Sequence, residues 1–216
     1  MFDLSNIKLI HMETSNICNA ACPMCLRELP YFINSVPKKK SLTLEQVKAL
    51  FSDSFIQNLD KMFMSGNYGD PACAPEAIEI MEHFRQLNSS MTLGFHSNGG
   101  VRDKAWWARL GKLMSDPERD YCAFGIDGLA DTNHIYRVNT RFDKILENVQ
   151  SFIDAGGVAH WHYLIFEHNE HQVQEAKALA KELGFAQFFE KVSFRFKSFP
   201  SIDLRPPLGE EHRDKM

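Results

Sequence analysis

Three cysteines, Cys18, Cys22 and Cys25, lie within the eight residues CNAACPMC near the start of the chain. The two remaining cysteines, Cys73 and Cys122, stand alone in the sequence. An odd number of cysteines with three in one cluster is a poor disulfide framework, and it is typical of a reducing compartment in which thiols are ligands or core residues. We therefore expect a cytoplasmic protein whose thiols are either ligands or core residues.

The spacing of the three thiols leaves three interpretations open. A structural zinc site is closed by four ligands, so the fourth ligand would have to come from elsewhere, for instance from His11 or His96. A [4Fe–4S] cluster held by three thiolates leaves one iron open to an external ligand, which explains three cysteines rather than four. The third interpretation is that the thiols are buried core residues. The spacing favours the cluster over zinc, and zinc over buried thiols.

Short apolar runs alternate with helical patterns along the rest of the chain. Strands are expected at residues 7–15, 61–66, 91–98, 121–127, 158–166 and 191–199. Helices are expected at residues 41–55, 75–87, 103–114, 142–153 and 170–184, the first of them opened by a capping box of Thr43 and Gln46. Six strand-then-helix units predict an α/β fold of parallel strands with outer helices, as either a barrel or an open sheet.

Ligands of such folds bind at the carboxyl ends of the strands, which here carry unusual residues. The first strand runs into the cysteine loop, and the next three end in GNYGDP (66–71), HSNGG (96–100) and GIDG (125–128). We expect the four ends to converge on one site. Asp127 is interpreted as a ligand contact rather than a turn residue, because buried carboxylates need partners. Ser97 and Asn98 are site candidates by their position alone.

On two strands, the alternation of residues bears on which side chains face the interior. On the fifth strand, His160 and His162 alternate with Trp161 and Tyr163, and the sequence does not decide which pair faces the interior. On the expected sixth strand, the period of two predicts that Arg195 and Lys197 point inward.

Composition narrows the function classes. The chain has 216 residues, 44% of them hydrophobic, and a formal net charge of −4, which predicts a single core domain (residues 1–200) with a polar tail (residues 201–216). Bulk charge does not predict a nucleic-acid partner. The start of the chain lacks the pattern of a signal peptide, and no apolar run is long enough to span a membrane.

The motif CNAACPMC, with ETSN before it, resembles the signature of the radical SAM superfamily, in which three residues separate the first two cysteines and two separate the second and third. The six units resemble the partial (βα)6 TIM-like barrel of that superfamily. The segment from FGIDG to Arg137 is similar to the fourth-strand region of its SPASM-type, peptide-modifying branch, with Gly125 at a position where serine is common and where the ribose is contacted.

The resemblance implies that Cys18, Cys22 and Cys25 hold a [4Fe–4S] cluster whose fourth iron binds the amino and carboxylate groups of S-adenosylmethionine (SAM). GNYGDP is similar to the Gly-Gly-Glu motif that meets the methionyl amino group, with Asp70 in place of glutamate. Including the two residues chosen by position, the expected SAM-binding residues are Met24, Gly66, Asn67, Gly69, Asp70, Ser97, Asn98, Asp127, Arg137 and Phe166.

The implied activity is reductive cleavage of SAM to a 5′-deoxyadenosyl radical, which abstracts hydrogen from a substrate, with a peptide or protein as the leading candidate. A low-potential electron donor of the flavodoxin or ferredoxin type is the implied partner. The branch usually continues into a cysteine-rich domain, but here no cysteine follows Cys122. The alternatives are a non-catalytic or partner-dependent module that binds iron–sulfur and SAM, and a zinc-stabilised α/β domain.

Overall fold

The computed structural model describes residues 3–29, 40–199, 202–210 and 212. These residues contain one six-stranded sheet in which each strand pairs in parallel with the next along the chain. The strands are β1 (Leu9–Met12), β2 (Lys61–Met64), β3 (Thr92–Ser97), β4 (Tyr121–Gly125), β5 (Ala159–Ile165) and β6 (Gln187–Val192). The prediction of a partial (βα)6 TIM-like barrel is confirmed.

Helices connect the strands. They are α1 (Leu44–Leu50), α2 (Asp53–Gln57), α3 (Ala77–Leu87), α4 (Lys104–Leu113), α5 (Asn133–Tyr136), α6 (Phe142–Asp154) and α7 (Val173–Leu183). The capping box of Thr43 and Gln46 opens α1. The helix expected over 41–55 is two helices, because the Ser52 side chain accepts a hydrogen bond from the Phe55 amide and starts α2. No helix of the described residues is long and apolar enough to cross a membrane.

The main core lies between the outer face of the sheet and the helices. Met62 and Met64 of β2, Phe95 of β3 and Phe124 of β4 are fully buried there against helical residues such as Trp107. Burying one such side chain contributes about 1.5–3 kcal/mol to folding. Alternate residues of each strand point into this layer, so the residues between them face the interior of the open barrel.

The structure decides the inner face of β5. Trp161 and Tyr163 are buried in the core, where the Trp161 indole donates to the Ile126 carbonyl (2.8 Å) and the Tyr163 hydroxyl donates to the Asn169 carbonyl (2.9 Å). His160 and His162 face the interior and are half-buried. The large rings take the core side because each buries much apolar area and needs one polar partner, which the backbone supplies.

The sixth strand lies earlier than the sequence suggested. β6 pairs with β5 over six positions, from His160 with Gln187 to Ile165 with Val192. Residues Arg195–Ser198 instead form a 3₁₀ turn, started by the Arg195 amide donating to Ser193 Oγ. The prediction that Arg195 and Lys197 point inward from a strand was wrong: Arg195 Nη1 donates to the Met24 carbonyl, 3.1 Å away.

The described part of the C-terminal tail folds back on the domain. The Arg205 carbonyl accepts a hydrogen bond from the Glu167 amide (3.1 Å). The Glu170 carboxylate accepts from the amides of Leu208 and Gly209 at 2.9 and 3.0 Å. Residues 201, 211 and 213–216 of the expected tail lie outside the described residues, and the boundary at residue 200 stays a prediction.

Candidate functional site

A cavity of about 280 Å³ opens at the carboxyl ends of the strands. All three clustered cysteines line it, together with residues that follow β2, β3 and β4. Of the site residues predicted from the sequence, those in the lining are Cys18, Cys22, Cys25, Gly66, Gly69, Asp70, Ser97, Asn98 and Arg137. The parallel sheet brings these residues together although Cys18 and Arg137 are 119 positions apart in the chain.

Backbone hydrogen bonds hold the cysteine loop on both sides. The Ala21 amide donates to the Val138 carbonyl (3.0 Å), and the Asp70 amide donates to the Ile17 carbonyl (2.8 Å). Within the loop, the Cys25 amide donates to the Cys22 carbonyl (2.9 Å) and closes a turn. The loop is therefore positioned by the segments after β2 and β4 rather than by its own local structure.

Charged side chains and two N–H donors surround the thiols. Burial raises the pKa of Cys18 to about 12, with the nearby Asp70 carboxylate adding to the shift. Burial also raises the pKa of Cys22, while the Arg137 guanidinium opposes that rise. Asn98 Nδ2 lies 3.7 Å from Cys18 Sγ, and Arg137 Nη1 lies 3.8 Å from Cys22 Sγ. Metal binding must therefore release protons from these thiols, and the two donors favour the resulting thiolates.

The three thiols share one loop and one cavity, as the ligands of an iron–sulfur cluster would. Among the described residues, no three His, Cys, Asp or Glu side chains are grouped closely enough to hold one metal ion. A zinc site needs four ligands at about 2.0–2.3 Å from one centre, whereas the thiolates of an iron–sulfur cluster bind different irons and lie further apart. His96 lines the cavity, but His11 contacts Glu13 (3.1 Å) and stacks on Phe63.

Asp70 organises the loop after β2. Its carboxylate accepts hydrogen bonds from the amides of Ala72 (2.9 Å) and Asn98 (2.8 Å), from Ser97 Oγ (2.9 Å) and from Asn98 Nδ2 (2.6 Å). Burial raises the pKa of Asp70, and the backbone donors of Asn98 and Ala72 oppose the rise. The carboxylate thus joins the ends of β2 and β3, and its expected contact with the SAM amino group stays a prediction.

The glycines of GNYGDP allow a close backbone approach. A Cβ on Gly69 would lie 2.3 Å from the Ser15 carbonyl oxygen, and one on Gly66 would lie 2.1 Å from the Gly69 carbonyl oxygen. Asn67 between them is exposed, and its amide and side-chain nitrogens donate to Glu13 at 3.0 and 2.9 Å. The loop therefore presents backbone at Gly66 and Gly69 to the cavity, while Asn67 anchors it to the end of β1.

Asp127 lies behind Arg137. Its carboxylate is fully buried and accepts hydrogen bonds from Arg137 Nε and from the Leu164 amide, both at 2.6 Å. Burial raises the pKa of Asp127, and the guanidinium opposes the rise. The ion pair aims Arg137 at the cavity, where it reaches toward Cys22. Arg137 is thus the group that can meet a ligand, with Asp127 positioning it.

Met24 and Phe166 belong to a second apolar cluster behind the cysteine loop, with Ala20, Cys22 and Tyr136. Both side chains are fully buried, and the Phe166 ring packs on Tyr136 with ring centroids 4.7 Å apart. In this structure they support the loop from behind, and their expected contacts with SAM stay predictions.

Several lining residues were not among the expected cluster-binding or SAM-binding residues, although His96 was considered as a zinc ligand and Gly125 as a position near the ribose. They are Ala20, Arg27, Ser65, His96, Ala123, Gly125, His162, Tyr163, Leu164, Phe189 and Lys191. In β5, His162 and Leu164 alternate with Trp161 and Tyr163. Assigning Trp161 and Tyr163 to the core would therefore have placed His162 and Leu164 in the cavity. Phe189 was missed because the sixth strand was expected to begin later, at residue 191, whereas β6 begins at Gln187. Lys191 lay within the expected strand but was not singled out.

A family model and several curated proteins match this chain. The family model described as "Radical SAM superfamily" matches residues 12–180, which include the cysteine loop and reach into α7. Among curated proteins, molybdenum cofactor biosynthesis protein 1 from Bos taurus is 26% identical over 148 residues, 68% of this chain and 22% of that protein. The Homo sapiens protein of the same name is 24% identical over the same share.

Solved structures share the fold. SuiB from Streptococcus suis with S-adenosylmethionine bound has a TM-score of 0.67 at 12% identity, and the match covers 87% of this chain and 41% of SuiB. The structure of anSMEcpe with AdoMet bound has a TM-score of 0.63 at 18% identity, covering 85% of this chain and 51% of that one. The chain therefore spans about a fifth of the curated relatives and about half or less of these structures.

Proposed function

The chain belongs to the radical SAM superfamily, a superfamily of enzymes whose cofactors are a [4Fe–4S] cluster and SAM; from this premise we propose that it cleaves SAM reductively and abstracts hydrogen from a substrate. The observation that supports this proposal is the shared cavity of Cys18, Cys22 and Cys25 with the ends of β2, β3 and β4. When bound, the cluster supplies a low-potential electron, and SAM supplies the 5′-deoxyadenosyl radical that takes the hydrogen atom.

The residues of the cavity have separate tasks in this proposal. Cys18, Cys22 and Cys25 hold three irons, while Asn98 and Arg137 direct N–H groups at two of the sulfurs. The Arg137 charge attracts the SAM carboxylate, because a guanidinium matches a carboxylate with two parallel hydrogen bonds. Gly66 and Gly69 present backbone groups to the methionyl end. The buried cluster around Met24 and Phe166 keeps water from the rear of the loop.

A peptide or protein is the first substrate candidate. Its support is the similarity to SPASM-type enzymes, including the SuiB structure bound to precursor peptide SuiA, at a TM-score of 0.68. A small molecule is the second candidate, favoured by the curated relatives, which are named for molybdenum cofactor biosynthesis. The electron donor that we propose is a flavodoxin or ferredoxin. We also propose a cytoplasmic location, because all five cysteines are thiols.

The test is anaerobic reconstitution with iron and sulfide, followed by SAM and dithionite. We expect about four irons per chain and formation of 5′-deoxyadenosine. Cys22→Ala should lose both the cluster and the product. Cys122→Ala is the matched control, since Cys122 lies on β4 with its side chain buried in the core, away from the cavity. It should retain both.

Two results would contradict the proposal. A cluster that forms without any cleavage of SAM indicates a non-catalytic or partner-dependent module. Repeating the assay with reduced flavodoxin or ferredoxin would distinguish these two. Binding of one colourless zinc ion in place of iron and sulfide indicates the zinc-stabilised domain.

A further inference from the structure

The inner face of the sheet carries a continuous band of rings. His11 stacks on Phe63 with ring centroids 4.6 Å apart, and Phe63 lies 5.8 Å from His96. His96 in turn lies 5.6 Å from Tyr121 and 5.9 Å from His162. Every one of these side chains faces away from the core, so the band is a wall of the barrel interior.

The band continues to the last strand. Tyr121 stacks on His160, with centroids 5.4 Å apart and an interplanar angle of 10°. Phe189 of β6 lies 5.5 Å from His160 and 5.1 Å from His162. Rings from all six strands of the described residues therefore line one concave surface, which offers faces and edges for stacking to a planar group.

Two cations, Lys61 and Lys191, occupy inner strand positions of this surface. Its carboxylate neighbour, Glu13, lies at the opposite edge from Lys191 and contacts His11 (3.1 Å). The acid of β6, Glu190, faces outward and accepts a hydrogen bond from Lys177 (2.9 Å). The lysine ion pairs of the described residues are those of Lys104, Lys144 and Lys177. Lys61 instead lies 4.6 Å from the Tyr121 ring centroid, in a cation–π contact. Two ammonium groups therefore remain for an anion.

The two histidines of the band that line the cavity, His96 and His162, are uncharged at neutral pH. Burial and the nearby lysines lower the pKa of His96 and of His162 to about 4. A neutral imidazole offers one N–H donor and one nitrogen acceptor, together with an apolar face. The band is therefore a ring-binding surface flanked by two fixed charges, rather than a cluster of cations.

The band adjoins the cysteine cavity. His96, His162, Phe189 and Lys191 line that cavity together with the three cysteines. None of these four residues has a task in holding the cluster or SAM under the proposed function. A molecule bound on the band would thus lie beside the cofactor site, where a substrate must be for hydrogen abstraction.

We propose that the ring band binds the substrate, and that the substrate carries a planar aromatic or heteroaromatic ring with an anionic group attached. The ring packs on Phe189, His162 and His96, and the anion pairs with Lys191. This proposal rests on the proposed function for the cofactor site but concerns different residues. The anion's source, a carboxylate or a phosphate, is left to the experiment.

The test is isothermal titration calorimetry on the anaerobically reconstituted protein with SAM and without reductant. Indole-3-acetate is the carboxylate probe, with indole-3-acetamide and cyclohexylacetate as its uncharged and ring-saturated analogues. Uridine 5′-monophosphate is the phosphate probe, with uridine and ribose 5-phosphate as analogues. We expect at least one complete probe to bind about tenfold more tightly than both of its analogues. The series that shows this preference identifies the anion.

Two pairs of variants assign the binding to the band. Phe189→Ala should weaken the complete probe about tenfold, since a stacking partner is lost. Lys191→Gln should make the complete probe bind no better than its uncharged analogue. Phe194→Ala and Lys112→Gln are the matched controls, because both side chains are exposed and lie outside the cavity lining. They should bind the probe as the unmodified protein does.

The outcomes separate this proposal from the proposed function. If SAM is cleaved but neither complete probe binds more tightly than its analogues, the substrate proposal is wrong and the cofactor assignment stands. If cyclohexylacetate and ribose 5-phosphate bound as tightly as the complete probes, the proposal would also be wrong, because the band would then recognise only the anion. If a complete probe binds with the expected variant pattern but SAM is never cleaved, the band binds its ligand and the proposed enzyme activity fails.

Discussion

The guanidinium of Arg137 lies directly over Gly125: a Cβ on that glycine would be 2.3 Å from Arg137 Nη2 and 2.9 Å from its Cζ. Related sequences of the peptide-modifying branch commonly have serine at this position, as the resemblance implied. Serine would collide here with the side chain that reaches Cys22. Gly125 and Arg137 therefore belong together, and the arginine takes the space in which a serine hydroxyl would lie.

The first prediction concerns that contact. Gly125→Ser should displace Arg137 from Cys22 and destabilise the protein by about 1–3 kcal/mol, because the collision is with a buried, ion-paired side chain. Urea unfolding measures the stability, and iron content after reconstitution measures the effect on the cysteine loop. Ala105→Ser, at an exposed position of α4, is the control. Unchanged stability and iron content in Gly125→Ser would contradict the contact.

The Asp127–Arg137 pair gives the second prediction. Arg137→Met should cost about 3–5 kcal/mol of unfolding free energy, because it leaves the buried Asp127 charge without its partner. Adding Asp127→Asn should recover much of that loss, since the unpaired charge is then gone. A double variant as unstable as Arg137→Met alone would show that the ion pair does not hold this part of the structure.

Asp70 gives the third prediction. Asp70→Asn replaces one acceptor oxygen by a donor that faces Ser97 and Asn98, so it should cost about 1–3 kcal/mol. The loop after β2 should loosen, and less iron should be incorporated on reconstitution. Asp60→Asn, an exposed change before β2, should leave both stability and iron content as they are. If Asp70→Asn also left them so, Asp70 would not be the organiser of the site.

The fourth prediction is a pH dependence. The pKa values of His96 and His162 are lowered to about 4 in the folded protein, whereas imidazoles of an unfolded chain titrate near pH 6.5. Between these values the unfolded chain binds more protons, so folding stability should fall as the pH falls from about 6.5 to about 4. The contribution of these two imidazoles to folding stability is therefore fully present above about pH 6.5.

The check is the urea midpoint of the unmodified protein and of the double variant His96→Gln, His162→Gln between pH 7.5 and 4. The buried carboxylates of Asp70 and Asp127 are present in both, so the difference between the two curves isolates the histidines. The urea midpoint of the unmodified protein minus that of the double variant should decrease as the pH falls. A constant difference across the range would mean that the two imidazoles titrate normally.

Much of the site followed from local sequence. The spacing of Cys18, Cys22 and Cys25 placed three thiols in one loop, and the succession of strands and helices predicted that the segments around Gly66, Asn98 and Gly125 would meet that loop. Parallel strands run in the same direction, so their carboxyl ends lie at the same edge of the sheet whatever the details of packing.

The sequence by itself determined the parallel α/β architecture, the capping box at Thr43 and the converging strand ends, because each of these depends on residue types within one element or on chain direction. Tertiary structure decided the register of β6, the inward face of His160 and His162, and the partners of Asp70. Those features depend on pairing and burial between segments far apart in the chain. A strand's period of two is compatible with either face and with a shifted start, until contact with its neighbours makes one choice lowest in free energy.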